Sequence, residues 1–195
     1  MIFVLMAAHD TSTITLAMMG YFLAKHPEWQ DRLRAESETL GKPAIDYEDL
    51  DALPAFDLVF KETLRMFGPV GLIARQAIKD TSIQGHYVPA GTKLMLGLYP
   101  TQRMEPWWND PDVFDPERFN DERREDQSHK YAWVPFGGNV HKCIGMHFGG
   151  MEVKAILHQL LLRYTWTVPA DYEPPMSYGT GPFPADGLPI TLRPR

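Results

Sequence analysis

The chain has 195 residues, of which 44% are hydrophobic and 23% are charged, so it is long enough to bury a core as one domain or two small ones. Its formal net charge of −6 argues against nucleic acid as a general partner. A single cysteine excludes an internal disulfide framework and gives no sign of secretion.

The first segment predicts one long buried helix from Met1 to about Lys25. Apolar residues fill positions 1–8 and most of 14–24, and a polar break at 9–13 separates the two stretches. We do not interpret the segment as a targeting signal, because no basic residue precedes it and its opening apolar run is too short to span a bilayer. The helix also lacks an N-cap residue, and we therefore expect a chain that is truncated inside it.

Two further helices are predicted before the middle of the chain. One spans residues 27–40, since proline favours a first helical position and a glycine follows its end. The other spans residues 54–67 and ends at Gly68-Pro69. The acidic residues 46–50 between them predict a turn or a short helical piece.

The second half of the chain predicts small sheets and irregular structure. Residues 72–99 are strand-like. Residues 104–119 are rich in Pro, Trp and Asp and predict an ordered, irregular wrap, whereas the charged residues 120–130 predict a solvated, mobile loop. A helix from about 146 to 164 and short strands over 165–195 follow. The class is mostly α with small β-sheets.

Cys143 lies in the segment PFGGNVHKCIG at residues 135–145, directly before the last predicted helix. Glycines on both sides let another group approach the backbone closely, and a helix N-terminus favours a thiolate over a thiol. A stabilised thiolate in such a place either attacks a substrate or binds a metal.

Two other chemistries remain open for Cys143. His141, Cys143 and His147 place three metal-binding side chains close together, although structural zinc sites use longer, regular spacings and a fourth ligand. A Cys–His nucleophile would need an orienting Asn or Asp and an oxyanion hole, and the sequence identifies neither.

Glu62 and Arg65 form an i, i+3 pair in the third predicted helix. On a protein surface such a pair contributes roughly 0.2–0.5 kcal/mol. Apolar residues occupy much of the circumference of this helix, namely Phe56, Leu58, Val59, Phe60, Leu64, Met66 and Phe67. We therefore expect the pair to be partly buried and to need further partners.

The segment around Cys143 resembles the haem-binding loop of the cytochrome P-450 family. In that pattern Phe136 comes first, the basic His141 stands two positions before the cysteine, and Gly145 stands two after it. The family usually has glycine where this chain has Asn139. Asn is the non-glycine residue that best tolerates a left-handed backbone, so the turn can still form.

Three more segments resemble motifs of the family, in the family's order. Residues 7–12 resemble its oxygen-activation motif, with Ala8 in place of the usual glycine. Residues 62–65 match its Glu-x-x-Arg motif, and residues 114–119 match its Phe-x-Pro-x-Arg-Phe segment. The resemblance implies the C-terminal haem-binding half of the cytochrome P-450 fold, truncated at the N-terminus.

The resemblance also implies the cofactor, haem b (iron protoporphyrin IX). Cys143 would be the axial ligand of the haem iron. Arg75 and His141 would pair with haem propionates, since charge-assisted bonds to a carboxylate suit both residue types. The remaining implied cofactor-binding residues are Ala8, Phe136, Gly137 and Gly145.

The same resemblance assigns roles to residues away from the cysteine. Thr11 would donate a hydrogen bond toward dioxygen, and Asp10 would act as a proton-relay acid. Glu62, Arg65 and Arg118 would form a structural network that supports the haem loop.

The implied function is a haem-thiolate monooxygenase that inserts one oxygen atom of dioxygen into a small hydrophobic organic substrate. Electrons would come from a ferredoxin or flavoprotein. Two rivals remain. One is a truncated, non-catalytic chain that cannot retain haem. The other is a haem-thiolate isomerase or peroxide-using relative, which would not need proton delivery by Asp10 and Thr11.

Basic residues near the cysteine predict a docking patch for the electron donor, with simple solvation as the alternative. They are Arg103, Arg123, Arg124, Lys130 and Lys142. The resemblance implies a cytoplasmic location for a bacterial-type member, and it leaves membrane attachment open because an N-terminal anchor would lie outside this chain.

Overall fold

Five α-helices and eight short strands make up the part of the chain that the structure describes. The structure is a computed structural model of residues 2–179 and 181–195, with the backbone alone described for residues 2–5. Met1, where the first helix is predicted to begin, lies outside these residues. No helix in the described ranges is both long and apolar enough to cross a membrane.

The helices are α1 (Ile2–Lys25), α2 (Pro27–Leu40), α3 (Pro54–Phe67), α4 (Leu98–Thr101) and α5 (Met146–Arg163), with short 3₁₀ helices at Tyr47–Ala52, Pro116–Phe119, Glu125–Gln127 and Asn139–His141.

The strands pair into two-stranded antiparallel sheets. They are β1 (Leu72–Gln76), β2 (Thr81–Ile83), β3 (His86–Val88), β4 (Lys93–Gly97), β5 (Tyr164–Thr167), β6 (Met176–Ser177), β7 (Phe183–Pro184) and β8 (Thr191–Pro194). β1 pairs with β4, β2 with β3, β5 with β8 and β6 with β7. The prediction of a mostly α chain with small β-sheets is therefore confirmed.

Local sequence signals determine where the helices end. Pro27 is the first residue of α2, and Gly41 follows it with a φ of 67°, a left-handed conformation that glycine adopts without a Cβ clash. Pro54 begins α3 in the same way, and Gly68 follows its last residue. Both helices occupy the residues that the sequence predicts.

The core lies between α1, α2, α3 and α5. β5 contributes the buried Trp166, whose Nε1 donates to the Gly20 carbonyl at 2.9 Å. Gln30 joins the same elements, because its side-chain nitrogen donates to the carbonyl oxygens of Leu23 and Trp166 at 3.1 and 3.0 Å. The buried residues of this core are Ile14, Met18, Met19, Tyr21, Phe22, Leu23, Ala24, Leu33, Leu53, Ala55, Phe56, Val59, Met66, Phe114, Val153, Leu157, Leu161 and Trp166.

The prediction that α1 is buried along its whole length is wrong for residues 6–13, which are exposed or half-buried. Asp10 and Thr11 are exposed, and the buried side chains of the helix begin at Ile14. The polar residues 9–13 favour solvent, and the apolar cluster that packs with α3 and α5 starts after them. Of the side chains described for α1, those from Ile14 onward build the core.

The prediction of a solvated loop over residues 120–130 is wrong for Glu125. This side chain is buried, and its carboxylate lies 2.8 Å from Arg118 Nη1 and 2.6 Å from Arg123 Nη2. A buried guanidinium needs a nearby anion, and Glu125 supplies one. The ion pair between Glu125 and Arg118 therefore attaches this loop to the irregular wrap, residues 104–119.

Candidate functional site

The Cys loop, residues 135–145, folds back on itself before α5. The Gly137 N–H donates to the Val134 carbonyl at 2.9 Å, and the Cys143 N–H donates to the Phe136 carbonyl at 2.9 Å. Gly137 has a φ of 69°, in the region where a Cβ is costly. These two hydrogen bonds and this glycine set the position from which the thiol is presented.

Asn139 adopts a left-handed backbone conformation in the turn before the cysteine. Its φ is 55°, which Asn tolerates better than other non-glycine residues. Its side-chain nitrogen donates to the Tyr131 hydroxyl oxygen at 3.0 Å. Hydrogen bonds with Asn139 and then with Lys130 lower the pKa of Tyr131. The turn is therefore formed with Asn in place of glycine.

Cys143 is a free, exposed thiol just before the N-terminus of α5. Gly145 is the N-cap of this helix, and its carbonyl accepts from the Gly149 N–H at 2.8 Å. A Cβ at Gly145 would lie 3.8 Å from the Cys143 Sγ, so glycine leaves that flank of the sulfur open. Cys143 thus lies two positions before the N-cap residue of α5.

Large apolar side chains are exposed on the Cys loop and on α5. Val140 and Ile144 are 91% and 98% exposed, and Phe148 is also exposed. β1 lies against the loop, since Ile73 Cδ1 is 3.8 Å from the place that a Cβ at Gly137 would occupy. Exposed apolar groups gathered in one region indicate a ligand or interaction site.

The donor set around Cys143 is a single sulfur. Within residues 2–179 and 181–195, no three His, Cys, Asp or Glu side chains are grouped as metal ligands. The zinc hypothesis needs His141 and His147 beside Cys143, and it finds no preformed ligand set there. A single cysteine sulfur matches instead the one donor that a haem iron can take from the protein.

Glu62 joins two arginines in a buried cluster. Arg65 donates from Nε to Glu62 Oε2 at 2.7 Å and from Nη2 to Oε1 at 2.9 Å, and Arg118 donates from Nε to Glu62 Oε1 at 3.0 Å. All three residues are 0% exposed. The structure therefore brings together the three residues that the sequence grouped. We call these residues, with Glu125, the charge cluster.

The two arginines of the charge cluster also bind the irregular wrap. Arg65 Nη1 donates to the Pro111 carbonyl at 2.7 Å. Arg118 donates from Nη1 to the Asn109 carbonyl at 2.8 Å and from Nη2 to the Val113 carbonyl at 3.0 Å. Residues 104–119 contain little regular structure, so few of their carbonyl oxygens accept hydrogen bonds within a helix or sheet. The two guanidinium groups donate hydrogen bonds to some of these carbonyls instead.

Glu125 is the member of the charge cluster that the sequence did not reveal. It accepts from Arg118 Nη1 at 2.8 Å and from the Asn109 N–H at 3.1 Å. Burial alone would raise its pKa, but hydrogen bonds from Arg123 and Asn109 and the charge of Arg118 outweigh burial and lower it. A sequence signal did exist: two buried arginines need more than the one carboxylate of Glu62.

Helix α3 also contacts the segment that leads into the Cys loop. Trp133 Nε1 donates to the Lys61 carbonyl at 3.1 Å. The rings of Phe60 and Phe136 lie 6.2 Å apart, centroid to centroid. The helix that carries Glu62 and Arg65 therefore packs directly against the loop that carries the cysteine.

Thr11 and Asp10 are exposed side chains of α1, close to the half-buried Ala8. Thr11 Oγ1 donates to the carbonyl one turn earlier at 2.8 Å, and an Asp10 oxygen lies 2.8 Å from Nδ1 of the preceding histidine. Ser12 Oγ donates to Glu152 Oε2 at 2.7 Å. This bond holds the polar part of α1 beside the second turn of α5, close in sequence to the cysteine.

Arg75 and His141 are both exposed. Arg75 lies on β1 and donates from Nη1 to the Ala74 carbonyl at 2.9 Å. His141 ends the 3₁₀ helix of the Cys loop. The two side chains do not form a hydrogen bond with each other. They lie on β1 and on the Cys loop, two elements that approach each other at Ile73 and Gly137.

The prediction of a basic docking patch is wrong for Arg103. Its side chain is largely buried against the Tyr99 ring, 3.9 Å from its centroid, and pairs with Asp112 at 3.6 Å. Aromatic stacking draws this guanidinium away from solvent. The other four members are exposed, namely Arg123, Arg124, Lys130 and Lys142, although Arg123 also pairs with Glu125 at 2.6 Å.

Comparison with known proteins gives one consistent family. The family model described as cytochrome P-450 matches residues 1–189. A Mycobacterium tuberculosis protein provisionally named cytochrome P-450 136 is 49% identical over 100% of this chain. Cytochrome P-450 3A6 of Oryctolagus cuniculus is 32% identical over 98% of the chain, and thromboxane-A synthase of Mus musculus is 35% identical over 88%. The chain spans 40%, 38% and 33% of the length of these relatives, in that order. The chain belongs to the cytochrome P-450 family.

Proposed function

We propose that this chain forms the haem-binding part of a haem-thiolate monooxygenase, with Cys143 as the axial ligand of the iron. The observation that carries the proposal is an exposed thiol at a helix N-terminus, in a loop whose backbone is fixed by its own hydrogen bonds. Membership of the cytochrome P-450 family supports the reaction class. The substrate would be a small hydrophobic organic molecule.

The residues of the Cys loop fit a large, flat, mostly apolar cofactor. Gly137 and Gly145 leave the backbone open to close approach, and Phe136 presents an aromatic ring on the same loop. Exposed apolar side chains give such a group a surface that it can remove from water. When bound, haem b supplies the activation of dioxygen and the insertion of oxygen into the substrate.

Arg75 and His141 would hold the charged edge of the cofactor. Both side chains are exposed, and both carry nitrogen donors. A propionate is a carboxylate, and charge-assisted hydrogen bonds to a carboxylate are stronger than neutral ones. Their two elements pack together, so they would fix the cofactor relative to both β1 and the Cys loop.

Thr11 and Asp10 would control protons near dioxygen. Thr11 donates its only hydroxyl proton to the backbone of the preceding turn, so donation toward dioxygen requires the hydroxyl to rotate. Asp10 is exposed and can exchange protons with solvent. The small Ala8 leaves space beside them on the helix.

Electrons would come from a ferredoxin or a flavoprotein that docks near the Cys loop. Lys130 and Lys142 line a 180 Å³ cleft together with Trp133 and Asn139. Exposed cations around a cleft attract an acidic partner and speed its association at low salt.

The main alternative is a non-catalytic chain that keeps the motifs but does not retain haem. The exposure of Val140 and Ile144 favours it, because uncovered apolar side chains promote aggregation. An isomerase or peroxide-using relative is less favoured. That chemistry would not require the Asp10–Thr11 pair.

Haem titration of the purified chain, followed by visible absorption, tests the proposal. We expect binding to saturate at one haem per chain and to weaken strongly in Cys143→Ser. Equal binding by the parent and by Cys143→Ser would show adsorption to apolar surface and would support the non-catalytic alternative.

A further inference from the structure

Gln102 is a buried glutamine whose side chain bridges α3 and the segment leading into the Cys loop. It follows α4 and is 2% exposed. Its side-chain nitrogen donates to the Leu64 carbonyl at 3.3 Å, and its side-chain oxygen accepts from the Val134 N–H at 3.2 Å. Its own carbonyl accepts from Arg65 Nη1 at 3.0 Å. One residue therefore contacts α3, the charge cluster and the start of the loop.

We propose that Gln102 is the positioning residue that couples the charge cluster to the thiolate loop. Hydrogen bonds run from Glu62 through Arg65 to the Gln102 backbone, and from the Gln102 side chain to Val134. The Val134 carbonyl then accepts from Gly137, the residue with the left-handed turn. This inference rests on the proposed function, because a role for the loop presupposes the cysteine as ligand.

Only a primary amide makes both hydrogen bonds at this position. Leu64 offers a carbonyl, which needs a donor, and Val134 offers an N–H, which needs an acceptor. A carboxylate lacks the donor, and an apolar side chain lacks both. Since the site is buried, an unpaired group there carries a desolvation penalty rather than a bond to water.

The surroundings of Gln102 leave little space for rearrangement. A Cβ placed on Gly68 would lie 2.8 Å from the Leu64 carbonyl oxygen, 3.8 Å from Pro135 Cβ and 3.9 Å from Gln102 Nε2. Gly68 therefore lets the end of α3, Gln102 and the first residue of the Cys loop meet. Gln102 acts in a packed site, where a lost bond is not easily replaced.

Amide hydrogen exchange in the chain without haem tests the coupling directly. The Leu157 N–H serves as the reference, because Leu157 lies in the core. We expect Gln102→Met to speed exchange of the Val134 N–H by roughly five- to tenfold relative to this reference, because the Val134 N–H loses its hydrogen bond to the Gln102 side chain. Gln102→Glu keeps an oxygen acceptor and should preserve Val134 protection. This second variant keeps the test decisive if Gln102→Met folds poorly.

Gln30 provides a matched control. It is also a buried glutamine, and its side chain likewise donates to carbonyls and accepts from the Trp166 N–H at 3.2 Å, but between α2, α1 and β5. We expect Gln30→Met to destabilise the fold without changing the Val134-to-Leu157 exchange ratio. Equal effects of the two substitutions on that ratio would overturn the proposal.

Haem binding provides the second readout. In haem-loaded chain with carbon monoxide, we expect Gln102→Met to lower the fraction showing the red-shifted Soret band of thiolate-ligated ferrous haem, and Gln30→Met to leave that fraction unchanged. An unchanged band and an unchanged exchange ratio in Gln102→Met would refute the coupling. If the parent chain takes up no haem, the proposed function fails while the exchange measurement still decides the role of Gln102.

Discussion

Arg118 donates to Glu62 across 3.0 Å although 56 positions separate the two residues in the chain. Glu62 belongs to a regular helix, and Arg118 to a wrap held mainly by turns. Both residues are fully buried, and their pair links the Glu62–Arg65 pair of α3 to the Arg118–Glu125 pair of the wrap. The contact therefore fixes the wrap on α3, the helix that also packs against the Cys loop.

Arg118→Ala should destabilise the fold by about 3–5 kcal/mol, because it removes the buried cation that Glu62 and Glu125 share and leaves them with Arg65 and Arg123 alone. Urea unfolding measures the loss, with the exposed Arg193→Ala as a control expected to stay within about 0.5 kcal/mol of the parent. An Arg118→Ala chain that is as stable as the parent and keeps haem as well would contradict the structural role.

Glu125→Gln should reduce stability at neutral pH and lose its effect in acid. The folded-state pKa of Glu125 lies below the ordinary value of about 4.3. Its contribution is therefore fully present above the unfolded pKa and is lost as pH falls through the folded pKa. We expect parent and variant to differ most near about pH 7 and to converge below about pH 4.

Unfolding titrations over this pH range check the prediction for Glu125. The exposed Glu122→Gln is a matched control and should follow the parent throughout. A difference between parent and Glu125→Gln that stays constant with pH would mean that the charge of Glu125 is not responsible.

Asn139→Ala should destabilise the chain by about 1–2 kcal/mol, because alanine tolerates a φ of 55° poorly. Asn139→Gly should cost less, since it loses the bond to Tyr131 but keeps the backbone conformation. Tyr131→Phe removes the hydroxyl that bonds with Asn139 and Lys130 but keeps Asn139, and it should also cost less than Asn139→Ala in thermal unfolding. If alanine and glycine at position 139 behave alike, the left-handed turn does not depend on this residue.

Thr11→Ala should leave stability within about 0.5 kcal/mol of the parent, because Thr11 is exposed and bonds only to its own helix. In a reconstituted reaction it should lower the ratio of product formed to electrons consumed, since the hydroxyl proton donor is gone. Thr11→Ser keeps the hydroxyl and should retain most of the coupling. Coupling that is equal in parent and Thr11→Ala would remove Thr11 from proton delivery.

Much of the fold can be predicted from the sequence, because Pro and Gly begin and end helices through local effects on the backbone. Pro27 and Gly41 bound α2, and Pro54 and Gly68 bound α3, at the predicted residues. The grouping of Glu62 with two arginines followed from a resemblance to known motifs. The motifs do not give the distances or hydrogen bonds among these three residues. The structure provides them.

The contacts that complete the site depend on long-range packing that has no periodic signal. Glu125 lies in a charged stretch typical of a surface loop, and only the excess of buried arginine charge indicates that one of its acids must turn inward. Gln102 sits in an irregular stretch, and nothing in its neighbours predicts that Val134 is its partner. The exposure of residues 6–13 of α1 does not follow from the sequence, because the apolar residues around the polar break favour a buried helix.

The measurement that tests the central claim most directly is the reduced, carbon-monoxide difference spectrum of this chain expressed with a haem precursor, beside Cys143→Ser. We predict the strongly red-shifted Soret band of thiolate-ligated ferrous haem in the parent and its loss in Cys143→Ser. The same band in both proteins, or haem bound by the parent without that band, would contradict Cys143 as the iron ligand.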